Sequence, residues 1–174
     1  YNNKLDSEAA LQDLYKFAIY YDQLLNSSTN IKEFNKVLDQ LNILGSKVIF
    51  PYFMLLLNLY DEGQINSDYV VELANTWESL LFRIRICHMG TNRLNKIVIS
   101  LCDIQKETNS LSQSMYKFTK ATFPDDKVFA TNLMHLDIYN QRKHLAKLAL
   151  MAVEENRTKE TIEFDDAQIE HIMP

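Results

Sequence analysis

The sequence predicts an all-α fold, a multi-helix bundle of about seven helices that ends in a short extended C-terminal tail. Three observations lead to this prediction. The 174 residues include only 3 Gly and 3 Pro, so the turn residues that punctuate sandwiches and barrels are scarce. Hydrophobic residues make up 47% of the chain and charged residues 24%, as in globular proteins with a buried core. Apolar side chains also recur at a helical period along most of the length.

Two helices are predicted in the first quarter of the chain, from about Ser7 to Asn26 and from about Asn30 to Leu44. We expect Ser7 to cap the first helix, because a serine side chain accepts from the free amides of a helix start. Gly45 stands where a glycine C-cap would end the second helix. The first helix is expected to face the core with one stripe, consisting of Leu11, Leu14, Ala18, Tyr21 and Leu25.

The next predicted helix runs from about Val48 to Tyr60 and should be central, because it has almost no polar face. Pro51 fits its first turn, where no intrahelical donor is needed. A fourth helix is predicted from about Ser67 to Met89, capped by Ser67 or Asp68. A fifth follows from about Asn92 to Lys106. The stripe expected on the fourth helix is Val70, Leu73, Ala74, Trp77, Leu80, Leu81, Ile84 and Cys87.

The remainder of the chain is predicted to form shorter helices and a tail. A polar stretch at 109–114 separates a helical lobe, residues 1–108, from a second helical segment, residues 109–160. That segment should hold a weak helix at about 111–120, one at 128–136 with Pro124 near its first position, and a last one at 138–156. Residues 161–174 alternate in polarity, as short strands do, and form the third predicted unit.

Composition excludes several classes of protein. The net charge of −5 argues against extensive phosphate binding. Cys87 and Cys102 lack the spacing of a zinc knuckle or disulfide framework, so a reducing, cytoplasmic setting is expected. No apolar run reaches the roughly 18 residues of a membrane span, so no membrane partner is expected. Because the chain starts at Tyr1 and stops at Pro174, directly after a motif, we expect a fragment of a longer protein.

That terminal motif is the sequence Ile-Glu-His-Ile-Met-Pro at 169–174. Hydrolysis of a phosphodiester needs a base that activates water and a divalent cation that stabilises the charge developing on phosphate. His171 and Glu170 provide the residue types for these two tasks. Adjacent side chains of a strand point to opposite faces, so a turn or twist would have to bring the two to one phosphate. The alternative interpretation is a surface histidine beside a glutamate on a short strand.

The wider sequence resembles one family, the GmrSD-type restriction enzymes that cut foreign or modified DNA. The resemblance is carried by the terminal motif, by the segment Trp77–Cys87 with its Arg-x-Arg, and by the Pro-aliphatic helix at 50–56. These enzymes join a ParB-like nucleotide-hydrolysing domain to an HNH nuclease domain. The resemblance implies that His171 is the general base and Glu170 a ligand of Mg²⁺ or Mn²⁺ in the intact protein.

The resemblance also implies that this chain is the helical connector of the enzyme, itself catalytically incomplete. DNA would then be bound through the missing nuclease domain, and the missing N-terminal domain would be a second partner. No cofactor is expected in the fragment alone, and its oligomeric state stays open. The other hypothesis for its function is a stand-alone helical interaction module in which the terminal Glu-His pair is incidental.

Two groups of basic residues lie outside the terminal motif. Arg83 and Arg85 flank the buried stripe of the fourth helix, which favours ion pairs or packing of their aliphatic stems over phosphate contact. Arg93 and Lys96 extend the basic character, so these four residues are weak candidates for contacts with DNA or with the missing domain. The segment containing Arg142 is predicted to be a solvated helix face.

Overall fold

A computed structural model describes residues 7–108, 113 and 123–158. Within these ranges the secondary structure is helical and includes no strand, which confirms the predicted all-α bundle. The elements are α1 (Ser7–Leu25), α2 (Lys32–Leu44), α3 (Phe50–Asp61), α4 (Ser67–Ile86), a 3₁₀ turn (Thr91–Arg93), α5 (Leu94–Thr108), α6 (Asp126–His135), α7 (Ile138–Gln141) and α8 (Lys143–Thr158). The boundary predicted at 109–114 and the weak helix at 111–120 lie outside the described residues, apart from residue 113, and so does the tail at 161–174.

The core is built around α4, whose most extensive packing is against α2. Trp77 lies fully buried near the middle of α4. All predicted stripe residues from Val70 to Ile84 are buried, and Cys87, at the end of the helix, is half-buried. An aromatic pair joins α2 to α3, because the rings of Phe34 and Phe53 meet edge to face with centroids 5.1 Å apart. Such a geometry suits the ring quadrupoles.

The predicted central position of α3 is confirmed, since this helix packs against α1, α4 and α5. Pro51 lies in its first turn, as expected. A polar group is also buried beside α3. Gln105 of α5 is fully buried, and its side-chain oxygen accepts hydrogen bonds from the hydroxyls of Tyr52, at 3.2 Å, and Tyr69, at 2.7 Å. This cluster fixes the register of α5 against α3 and α4.

Two helix ends follow the usual capping chemistry. Gly45 ends α2 in the left-handed conformation, with φ of 69°, and its amide donates to carbonyls of the last turn. The prediction for the start of α4 is wrong by one residue, because Asn66 is the cap and its side chain accepts from the amide of Tyr69. Asn66, Ser67 and Asp68 are all residue types that cap helices, so the sequence alone leaves the choice to the surrounding packing.

The C-terminal helices also differ from the prediction. Asp125 caps α6 by accepting from the amide of Val128, so Pro124 precedes the cap and does not occupy the first turn. The single helix predicted at 138–156 is two helices, interrupted at Arg142, whose backbone leaves the helical region at φ −150° and ψ 66°. At this interruption the Arg142 side chain reaches the end of α4, in a contact described below.

The stripe predicted to face the core from α1 is exposed. Leu11 and Leu14 expose 66% and 67% of their surface, and the other members range from exposed to half-buried. The side that meets the bundle carries Phe17, Tyr20 and Leu24, and only the C-terminal half of α1 has buried residues. The hydroxyl of Tyr20 donates to Asp61 at 2.7 Å, which ties this half to the end of α3. Burial and that carboxylate raise the pKa of Tyr20.

Candidate functional site

The sequence-predicted site residues do not form one cluster among the residues that the structure describes. Glu170 and His171 lie outside those residues. Arg83 and Arg85 both lie in the last turn of α4, yet they reach different helices. Lys96 is exposed on α5, and Arg93 belongs to the 3₁₀ turn before it.

Arg83 ties α4 to the start of α6. Its Nη1 lies 2.7 Å from a carboxylate oxygen of Asp126 and donates to the carbonyl of Pro124 at 3.1 Å. The guanidinium also lies over the Phe129 ring, 4.8 Å from its centroid, and 5.8 Å from that of Phe123. The favoured ion-pair interpretation is therefore confirmed for this arginine. Because its side chain is only 23% exposed, the flat guanidinium acts as a packing surface as well as a charge.

The same corner of the fold sets the chemistry of Cys87, which follows Arg83 by one turn. Burial raises the pKa of the Cys87 thiol, the Arg83 charge opposes that rise, and Asp125 adds to it. The thiol is thus kept protonated at neutral pH, at a half-buried position.

Arg85 stabilises the end of a different helix. Its Nη2 donates at 3.2 Å to the carbonyl of Leu44, the last residue of α2. The last carbonyls of a helix have no intrahelical partner and carry the negative end of the helix dipole, so a guanidinium there is favourable. Arg85 therefore supplements the Gly45 cap.

Arg142 contacts the end of α4 in the way that Arg85 contacts the end of α2. This contact was not predicted from the sequence. Nη1 of Arg142 donates to the carbonyl of Arg85 at 3.2 Å, and its Nη2 lies 3.4 Å from Nδ1 of His88. A guanidinium only donates, so that contact requires Nδ1 of His88 to be the acceptor. The prediction of a solvated face is wrong for Arg142, which is half-buried. Period and charge alone gave no signal of this contact, since its partner is a carbonyl 57 positions away.

A small polar cavity of about 330 Å³ opens beside Arg85. Its lining includes the cations Arg85 and Lys47, the hydroxyls of Ser46 and Thr91, and amide side chains at the start of α5. No carboxylate lines it, so the lining offers an anion several donors and no opposing negative charge. A larger groove of about 700 Å³ along α4 has the opposite character, with three carboxylates in its wall, Glu33, Asp68 and Glu72.

The described residues include neither a metal-binding cluster nor a membrane-spanning helix. They contain no group of three or more His, Cys, Asp or Glu side chains placed to hold a metal ion. None of their helices is both long and apolar enough to cross a membrane.

Comparison with known proteins adds no relative, since no family model, no curated protein and no solved structure matches the chain. The family resemblance of the sequence therefore stays a prediction.

Proposed function

We propose that this chain is the helical connector of a DNA endonuclease that defends against foreign or modified DNA. The observation that carries this proposal is the set of arginine contacts between distant helix ends. A connector must transmit orientation, and these contacts supply stiffness between the first helices and the last ones.

The three contacts span the chain. Arg85 joins α4 to the end of α2, 41 positions earlier. Arg83 joins α4 to the α6 start, and Arg142 joins the α7–α8 junction back to α4. The C-terminal helices are thus held to the N-terminal helices through polar contacts with defined geometry. Each of these hydrogen bonds has a guanidinium donor at a partly exposed site and contributes about 0.5–1.5 kcal/mol.

The last of these helices, α8, precedes the proposed nuclease motif in the sequence. Helix α8 ends at Thr158, 11 positions before Ile169. In the proposal, the orientation of α8 determines where the segment with Glu170 and His171 begins. Glu170 would supply a carboxylate to a divalent cation, and the cation would stabilise charge on the phosphate. His171 would act as the base that takes a proton from water. The remaining ligands would have to come from residues beyond this chain.

Reading the gene beyond Pro174 tests the proposal. We expect a downstream Asn or His within a few tens of residues, at the spacing of a ββα-metal motif. A stop codon directly after Pro174 would contradict the nuclease assignment and leave the stand-alone helical module.

A further inference from the structure

The outward face of α1 is an apolar stripe that the rest of the described chain leaves uncovered. Besides Leu11 and Leu14, Tyr15 is 70% exposed, and other large side chains of the same helix face solvent. We call this face the outer stripe. It consists of Leu11, Leu14, Tyr15, Ala18, Ile19 and Tyr21.

Helix geometry shows that the outer stripe lies on the side opposite the bundle. With 3.6 residues per turn, each residue is rotated by about 100° from the last, so Leu11 and Tyr20 project in opposite directions. Tyr20 faces the core, and Tyr21 packs edge-on against Phe50 at the margin of the stripe. An exposed apolar patch of a few hundred Å² or more commonly marks an interaction site.

The spacing within the outer stripe fits a helix as its partner. Leu11, Leu14, Ala18 and Tyr21 follow one another at intervals of three, four and three residues. This is the repeat with which one helix inserts side chains between those of another. The stripe extends over three turns, about 15 Å, the length of a short helix–helix contact.

Charge at the ends of the outer stripe determines which helix fits. Asp22 is exposed at its C-terminal end, and Glu8 is exposed near its N-terminal end. The only basic side chain of α1 is Lys16, which lies on another side of the helix, 3.8 Å from Glu62 and above the Tyr20 ring. We propose that the outer stripe docks the apolar face of a basic amphipathic helix from a protein partner, whose Lys or Arg side chains pair with Asp22.

A second copy of this chain is a poorer occupant. An antiparallel pair centred on Ala18 would press Asp22 against Leu14 of the copy, and a parallel pair would bring the two Asp22 carboxylates together. The antiparallel pair would remove Asp22 from water, and the parallel pair would bring two negative charges together. Lys16 lies on another side of α1, so it would compensate in neither case. An anionic membrane surface is disfavoured for the same reason, since the chain carries a net charge of −5.

Peptide binding tests this proposal directly. The probe is a fluorescently labelled synthetic helix of three heptads, with Leu at both core positions and Lys at the flanking positions. The matched probe has Glu in place of each Lys. Fluorescence anisotropy with the full chain should show the Lys probe binding about threefold to tenfold more tightly than the Glu probe. Asp22→Lys should reduce or invert that preference.

Variants of the chain locate the binding surface. Leu11→Gln with Leu14→Gln should weaken binding of the Lys probe by about tenfold or more. The control is Met134→Gln, because Met134 is 76% exposed on α6, away from the outer stripe, and it should leave binding unchanged. All variants should keep the wild-type melting temperature within a few degrees, since the altered side chains are exposed.

Several results would overturn the proposal. These are no binding of either probe at millimolar concentration, preference of the wild-type chain for the Glu probe, or equal loss in the stripe and control variants. Two others would identify a different occupant. A concentration-dependent dimer that the stripe variants abolish would indicate a second copy. Cosedimentation with phosphatidylserine-containing vesicles that the stripe variants abolish would indicate a membrane.

Discussion

Removing the Arg83 side chain should loosen α6 from α4, and the structure gives the magnitude. The ion pair with Asp126 is worth only about 0.2–1 kcal/mol, because the Asp126 side chain is 91% exposed and solvent screens it. The contacts over Phe129 and Phe123 contribute about 0.5–1 kcal/mol each at a partly exposed site. The hydrogen bond to the carbonyl of Pro124 adds a similar amount. These contributions add up to about 2–4 kcal/mol, which is the expected cost of Arg83→Ala.

Matched substitutions separate the contribution of the ion pair from that of the contacts with the aromatic rings. Asp126→Asn removes the charge and should cost no more than about 1 kcal/mol. Arg83→Lys keeps the charge but loses the planar surface over the rings, so it should cost more than Asp126→Asn. Urea denaturation followed by circular dichroism gives the free energy of unfolding. Hydrogen exchange of the α6 amides reports the local loosening.

Two outcomes would contradict this explanation of the Arg83 contacts. If Asp126→Asn costs as much as Arg83→Ala, the salt bridge dominates and the packing account of Arg83 is wrong. If Arg83→Ala leaves both the free energy of unfolding and the exchange of α6 unchanged, the Arg83 contacts do not hold α6 to α4.

Three further predictions concern other parts of the chain. Burial and, to a smaller extent, the charge of Glu155 raise the pKa of the Glu78 carboxyl. The native state therefore holds the carboxyl proton more tightly than the unfolded chain does. The free energy of unfolding falls as the pH rises from the ordinary glutamate pKa through the raised one. Glu78→Gln should raise the melting temperature at neutral pH, with a gain that fades below the ordinary glutamate pKa. A gain that persists at acid pH would contradict this cause. Gln105→Leu should lower the free energy of unfolding by about 1–3 kcal/mol, because the hydroxyls of Tyr52 and Tyr69 lose a buried acceptor, and denaturation that matches wild type would refute it. The isolated chain should bind duplex DNA weakly and with shallow salt dependence, and it should not cut plasmid DNA with Mg²⁺ or Mn²⁺. Tight binding that is lost steeply with salt would instead make Arg85, Arg93 and Lys96 DNA contacts.

The fold could be predicted where a sequence pattern is compatible with only one local structure. The α4 stripe is buried as predicted from Val70 to Ile84 because its apolar period leaves a single face for the core. Gly45 ends α2 because only glycine adopts a positive φ there without strain.

The rest depends on tertiary contacts that periodicity does not contain. The spacing of Leu11 and Leu14 identifies an apolar face but not whether anything covers it. The helical pattern continues across Arg142, so it predicts neither the interruption nor the contact of this side chain with a carbonyl 57 positions away. The ion pairing of Arg83 was predictable from its flanking position, but Asp126 as its partner was not.

DNA cleavage by the intact protein carrying His171→Ala tests the central claim most directly. An HNH base must be neutral to take a proton from water, and the adjacent carboxylate must be free to hold a cation. If His171 is this base, His171→Ala should abolish cutting while folding and nucleotide hydrolysis continue. Glu170→Gln should weaken activity or metal dependence. Cutting by His171→Ala at the wild-type level would contradict the account.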